Sequence, residues 1–495
     1  MDCIPPLKKI SSSYTGPDGS TNTYTYDALN RLTTLANSWA GSFGFSYDAA
    51  SRRTQMTRPN GIATNYSYDK LSHLLSVLHQ AGTSTIDGEA YTLDAAGNRT
   101  AKTDYLAGVT SNYTHDKIYE LTQVTQEANT TESYSFDPVG NRLSSLNVPS
   151  YNYNTSNEIT STSTTSYTYD NNGNTTGETN STGTTNYTWD FENRLTQVTL
   201  PNSGGTVTFK YDPFGRRIEK ISPTTTSIFA YDGNNLIETV NATGGVVARY
   251  TQGQNIDEPL AESRSGTVSY YEQDGIGSVT SLTNSSGTVA QTYTYDSFGN
   301  TTASTGSLRN YFQYTGRESD PETGLYYYRA RYYDPSTGRF TREDPLQFGS
   351  GDPDFYDYVG NSATNYTDPT GRFRIPGTNW CGPNWTGGRV EEYNPAHASL
   401  YKAPTNRYDT VCMHHDICYF NCRSSHPCDP SGRSNCFKTC DQIFVGEMPS
   451  GQGEGFMGME ADAMTAGIYW HSKFGPPPGP NRPDLAPGGC GCGGK

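Results

Sequence analysis

Everything before Asp368 holds a single cysteine, Cys3, of the ten in the chain. Disulfide stapling is thereby excluded as the organising device of that long stretch, and oxidising chemistry is confined to the tail. Long apolar runs are missing too: none approaches the roughly 20 residues of a membrane-spanning helix, and Met1 to Ile10 has no signal-peptide pattern. Export would need a specialised secretion route or an N-terminal part that is not present here. Basic residues are scarce, with 35 Lys and Arg against 50 Asp and Glu and a formal net charge of −15. From Arg372 onward there are 11 of each sign, which leaves 24 and 39 before it, so the excess negative charge lies in the first part. Neither part carries a basic patch, which argues against nucleic acid as a partner.

What fills the first 371 residues is a repeated phrase, Tyr-x-Tyr-Asp followed by Gly-Asn-Arg or a relative. It recurs at Tyr24-Thr-Tyr26-Asp27, Phe45-Ser-Tyr47-Asp48, Tyr66-Ser-Tyr68-Asp69, Tyr134-Ser-Phe136-Asp137, Tyr167-Thr-Tyr169-Asp170, Phe209-Lys-Tyr211-Asp212 and Tyr293-Thr-Tyr295-Asp296. The first copies stand about 21 residues apart, a period that signals an array whose units bury their faces on one another. Aromatics alternating with Thr or Ser have the period of a strand, and Asp-x-x-Gly-Asn is turn chemistry, so each unit reads as a β-hairpin. The fold expected is multidomain, with an all-β spiralling hairpin sheet first. A generic Tyr-rich adhesin sheet is the plainer alternative.

These units resemble the YD repeats of Rhs proteins, and the likeness sharpens over Tyr326 to Pro345 and at Asp368-Pro369-Thr370-Gly371. The resemblance implies a shell around a variable C-terminal toxin, with self-cleavage near Arg372 by two aspartates that map to Asp344 and Asp368. Arg372 departs from the family, which usually has an apolar residue there. It also implies secretion to a target cell, a cognate immunity protein and a secretion machinery as partners. A sheet wrapped around the tail needs roughly 6,000 Å², and the preceding residues supply about 4,000 Å² as strands. An open bowl, or a shell completed by further chain, is therefore expected.

The tail is of another kind. Val411 to Tyr419, Val-Cys-Met-His-His-Asp-Ile-Cys-Tyr, packs a histidine, a carboxylate and two cysteines into little more than two helical turns. Cys412, His415 and Tyr419 fall on one helical face while Asp416 turns to another neighbour. The segment resembles the active-site helix of the secreted phospholipase A2 superfamily, with Val411 in place of its first cysteine. Asn379 to Asn384 is similar to that family's calcium loop, and Cys440-Asp441 to its aspartate-bearing pair.

The likeness implies a small disulfide-rich α-helical domain and a Ca²⁺-dependent hydrolysis of the sn-2 ester of membrane phospholipids. In it His415 is the general base, Asp441 orients the imidazole, and Ca²⁺ is held by the carbonyls of Trp380, Gly382 and Asn384 and the carboxylate of Asp416. It implies disulfides Cys381–Cys412 and Cys418–Cys440; Cys422–Cys436 is a plausible third bridge, and Cys428, Cys490 and Cys492 stay unassigned. Competing readings are a zinc site, a structural disulfide cap on a cell-surface adhesin, and a histidine-centred nuclease toxin. The layout expected is a repeat shell over 1–310, a core-boundary segment over 311–371, the phospholipase-like domain over 372–474 and a flexible Pro- and Gly-rich tail over 475–495.

Overall fold

The computed structural model describes residues 13–373, apart from 351 and 353, together with a small hairpin in which Trp385–Thr386 pairs with Arg389–Val390. Among the described residues the only helices are three 3-10 turns, Tyr314–Gly316, Gln347–Ser350 and Val359–Asn361. All else of regular structure is antiparallel strand. A 13-stranded meander runs from Ser13–Thr15 to Arg142–Ser145, and a 16-stranded one from Tyr151–Tyr153 to Thr301–Gly306. A third sheet of four short strands, Glu318–Asp320, Leu325–Tyr328, Arg331–Asp334 and Arg339–Phe340, follows.

The repeat has a local cause. Asp27 Oδ1 accepts the backbone N–H groups of Leu29 (2.9 Å) and Arg31 (3.0 Å), and its Oδ2 pairs with Arg31 Nε at 2.7 Å. Asp48 with Arg52, and Asp212 with Arg216, repeat this arrangement. The aspartate thus closes the hairpin turn while the arginine stitches units together: Arg31 Nη1 donates to the Asp48 carbonyl (3.0 Å), and Arg52 Nη1 to that of Asp69 (2.8 Å). The residue before the arginine takes a left-handed φ, 60° at Asn30, 63° at Ser51 and 80° at Gly215, which is why Asn, Ser and Gly alternate there.

The second aromatic of the phrase has its own task. Tyr47 donates to the Leu32 carbonyl (2.9 Å), Tyr68 to Arg53 (3.0 Å), Tyr211 to Leu195 (2.7 Å) and Tyr295 to Val279 (2.9 Å). Each hydroxyl reaches the carbonyl just after the preceding unit's turn, so the ring is half-buried and its polar tip satisfied at once.

The two long sheets pack their inward faces on each other. Leu32, Leu35, Phe43 and Phe45 of the first share a core with Leu260, Ala261 and Tyr270 of the second, and Tyr270 donates to the Ala40 carbonyl at 2.8 Å. Over the described residues the inward faces therefore meet each other, whereas the tail on which the area estimate turned lies outside the described residues. The segment from Tyr311 to Phe373 supplies the filling. Tyr314, Tyr326, Tyr328, Tyr333, Phe340 and Tyr358 form an aromatic core with Leu121, Val124 and Phe298.

This filling segment is tied to the hairpin turns by its hydroxyls. Tyr314 donates to the Ser297 carbonyl (2.8 Å), Tyr333 to Phe298 (2.7 Å) and Tyr356 to Gly173 (2.7 Å), while Asn361 Nδ2 donates to Gly140 (2.7 Å). Deep ion pairs add to the anchorage. Arg217 pairs with Glu318 and Asp320, and Lys220 with Asp320 and Glu322, all across about a hundred residues of chain.

Candidate self-cleavage site

Arg331 lies in the third sheet, on Arg331–Asp334, and is 2% exposed. Its guanidinium stacks on the Phe340 ring, 3.5 Å from the centroid, which fixes the plane in which its donors point. Nη2 contacts Asp344 Oδ2 at 2.8 Å and Asp368 Oδ2 at 3.2 Å, Nη1 donates to the Phe355 carbonyl (2.9 Å), and Nε donates to the Gly371 carbonyl (2.7 Å). The two aspartates named from the sequence, both buried, are thus brought together on one cation.

The chain around Gly371 is held from both ends. Asp368 Oδ1 accepts the N–H of Arg372 at 2.9 Å, and the Thr370 carbonyl accepts the N–H of Ala330 at 3.2 Å. Gly371 has φ 66°, and a Cβ there would stand 2.3 Å from the Tyr328 carbonyl oxygen, so only glycine fits this approach. The peptide joining Gly371 to Arg372 therefore has its oxygen on Arg331 and its N–H on Asp368. Arg372 itself is exposed, which explains why a charged residue is accommodated where an apolar one was expected, and Phe373 turns back into the aromatic core.

Electrostatics distinguish the groups. Burial, outweighing the Arg331 charge, pushes the Asp344 carboxyl above its usual range. Burial also lowers Arg331, as it does Arg342, which falls to about 10 with the charges of Arg331 and Arg372 adding to the effect. Asp344 and Asp368 share the Nη2 contact, so their oxygens stand no farther apart than the sum of those two contacts. Of the two, Asp344 is the carboxyl that burial biases toward its protonated form.

Arg331 was not singled out from the sequence, although it sits inside the motif from Tyr326 to Pro345. The remaining sequence-derived positions, His415, Asp441, Trp380, Gly382, Asn384, Asp416, Cys381, Cys412, Cys418, Cys422, Cys436 and Cys440, lie outside the described residues.

The family model described as the teneurin YD-shell matches residues 102–352. The chain belongs to the teneurin YD-shell family. Among relatives of this YD-shell chain, the tRNA3(Ser)-specific nuclease WapA of Bacillus spizizenii is 33% identical over 260 residues, covering 49% of this chain and 11% of the relative. Double-stranded DNA deaminase toxin A of Burkholderia cenocepacia is 28% identical over 213 residues, covering 36% and 15%. This chain thus spans a small part of the length of these relatives. Among solved structures, the Tc holotoxin pore of Photorhabdus luminescens shares the fold, with a TM-score of 0.61 at 21% identity over 72% of this chain and 20% of that one.

These relatives correct two expectations. The phospholipase A2 reading, with its phospholipid surface as partner, is overturned by relatives named for action on nucleic acid, and so is the exclusion of nucleic acid. The physical reasons are plain. A histidine beside carboxylates is a general base for phosphodiesters as well as for carboxylic esters, so the nine residues around His415 did not discriminate. The net charge, for its part, reports the shell and not the tail.

Proposed function

We propose that this YD-shell chain is part of an Rhs-type toxin that cuts itself near Arg372 and so frees its C-terminal segment, which acts as a nuclease in a target cell. The observation that carries the first half is the single guanidinium of Arg331 holding Asp344, Asp368 and the Gly371 carbonyl together. In the cut, one water adds across a peptide bond: its oxygen joins the carbonyl carbon, the C–N bond breaks, and a new carboxylate and a new amino terminus result. Arg331 stabilises the developing oxyanion, and the aspartate pair takes a proton from the water and returns one to the leaving nitrogen.

The second half is supported by the relatives' names, a tRNA nuclease and a DNA deaminase toxin. His415 is the group in the C-terminal segment best suited to act as its general base. The test is to incubate the purified chain with tRNA and with single- and double-stranded DNA, beside His415→Ala. Strand cleavage that the substitution abolishes supports the nuclease. No cleavage of any of the three by the processed chain removes that half and leaves the self-cleavage reading intact.

A further inference from the structure

The hairpin that carries Arg331 meets the segment around Gly371 along three consecutive residues. At its tip, between Leu325–Tyr328 and Arg331–Asp334, Arg329 donates from Nη1 to the Pro369 carbonyl, Ala330 donates its backbone N–H to the Thr370 carbonyl (3.2 Å), and Arg331 donates from Nε to the Gly371 carbonyl (2.7 Å). Three successive carbonyls are thus taken up by three successive residues. Arg331 acts on the peptide to Arg372, whereas Arg329 acts two peptides upstream, directly after Asp368.

Arg329 stands there against the preference of its backbone. Its φ is 55°, a left-handed value that favours glycine at a hairpin tip, and among the described residues no other arginine has a positive φ. The side chain accounts for the residue. Nη1 contacts Asp257 Oδ2 at 3.0 Å and Nη2 contacts Oδ1 at 2.6 Å, the two-pronged arrangement that fixes the plane of a guanidinium, and Nη2 also reaches the Asn234 carbonyl (3.4 Å). The pair is largely shielded from water, with side chains 16% and 7% exposed.

Asp257 is itself fastened. It lies in the connection between Val246–Gln252 and Pro259–Arg264 of the second sheet, has a left-handed φ of 59°, and pairs also with the buried Arg317. Its neighbour Glu258 pairs with Arg53 on Arg53–Thr57 of the first sheet. One short connection therefore touches the first sheet through Glu258 and the segment around Gly371 through Asp257 and Arg329.

We propose that Arg329, aimed by Asp257, is a positioning residue for the self-cleavage: it fixes the Pro369 carbonyl, and with it the run from Asp368 to Arg372, so that the Gly371 carbonyl rests on Arg331. This builds on the self-cleavage reading and adds to it a dependence on both long sheets, because the connection that aims Arg329 is held by each. The Gly371 carbonyl and the two aspartates take their contacts from Arg331, so Arg329 contributes position and not charge at the reacting atoms.

Glycine at 329 suits the φ and leaves Asp257 paired with Arg317, so Arg329→Gly removes the contact with little damage to the fold. The test makes the full chain by cell-free translation with labelled methionine and follows its conversion to two fragments on gels, for wild type, Arg329→Gly and Arg329→Lys. The expected result is cutting slowed about tenfold or more in Arg329→Gly, with Arg329→Lys recovering part of the rate. Thermal midpoints of both substitutions, read in the uncut Asp344→Asn background, should stay within a few degrees of that background. A wild type that is cut, beside Arg329→Gly cut at the same rate, overturns this proposal alone. Slowing that is equal in Arg329→Gly and Arg329→Lys and follows a fall in thermal midpoint overturns it as well, since Arg329 would then serve only the fold. A wild type that stays whole overturns the self-cleavage reading and this proposal with it.

Discussion

Arg331 donates its Nε–H to the carbonyl oxygen of Gly371 at 2.7 Å, across 40 residues of chain. That one bond joins the third sheet to the end of the filling segment. The same guanidinium holds Asp344 and Asp368, so the site is assembled only when the third sheet has formed and packed. The proposed cleavage is in this way coupled to completion of the fold.

Arg331→Met should therefore have two effects. It leaves Asp344 and Asp368 buried without their cation, a loss of about 3–5 kcal/mol for broken buried pairs, and it removes the donor from the Gly371 carbonyl. Urea denaturation and gel electrophoresis should show a less stable chain that stays uncut. Arg331→Lys keeps the charge but not the fork of donors, and should recover stability more than cleavage.

Gly371→Ala separates backbone geometry from charge. A methyl group at 371 meets the Tyr328 carbonyl and disfavours the left-handed φ, so the peptide to Arg372 is displaced from Arg331 and Asp368. Cleavage should fall at least tenfold while the thermal midpoint of the shell drops by only a few degrees. Cleavage at the wild-type rate would show that this peptide's position is not what matters.

Glu120 gives the shell a pH dependence. Burial, then the charge of Asp116, pushes its carboxyl up to about 9, even though Asn361 Nδ2 donates to it at 3.0 Å. Because the folded value lies above the unfolded one, the folded state binds the extra proton. The associated stability is complete below the unfolded value near 4.5 and is lost as pH rises through the folded value. Thermal midpoints measured from pH 5 to 9 should decline, and Glu120→Gln should flatten the decline and be the more stable protein at pH 9.

Asp320→Asn tests the anchorage of the filling segment. Asp320 sits between Arg217 and Lys220, both fully buried, and their charges hold its carboxyl below the usual range despite the opposing cost of burial. Neutralising it leaves two buried cations short of a partner, at about 3–5 kcal/mol. Chemical denaturation reads this directly.

The hairpin array was legible because its chemistry is local. Asp27 binds groups two and four residues on, and Tyr47 reaches back 15 residues, to the strand just after the preceding unit's turn, so the repeat phrase carries its own explanation. Asp344 and Asp368 were legible by resemblance to a motif. Arg331 was not, because its acceptors Phe355, Asp368 and Gly371 lie 24, 37 and 40 residues away, and nothing in strand alternation says which buried arginine meets which carbonyl. The contact between the two long sheets was not legible for a related reason. An area estimate assumes that the sheet wraps the tail, whereas Leu35 and Phe43 pack on Leu260 and Tyr270, which the spacing of repeats does not reveal. Around His415 the pattern was real but permissive, since the same base serves more than one ester.

The most direct test of the account is the intact mass of the purified full chain, beside Asp344→Asn and Asp368→Asn. The account predicts two fragments from the wild type, the larger ending near Arg372, and a single uncut mass from each variant. A single full-length mass from the folded wild-type chain, or cutting that persists in both variants, would contradict it.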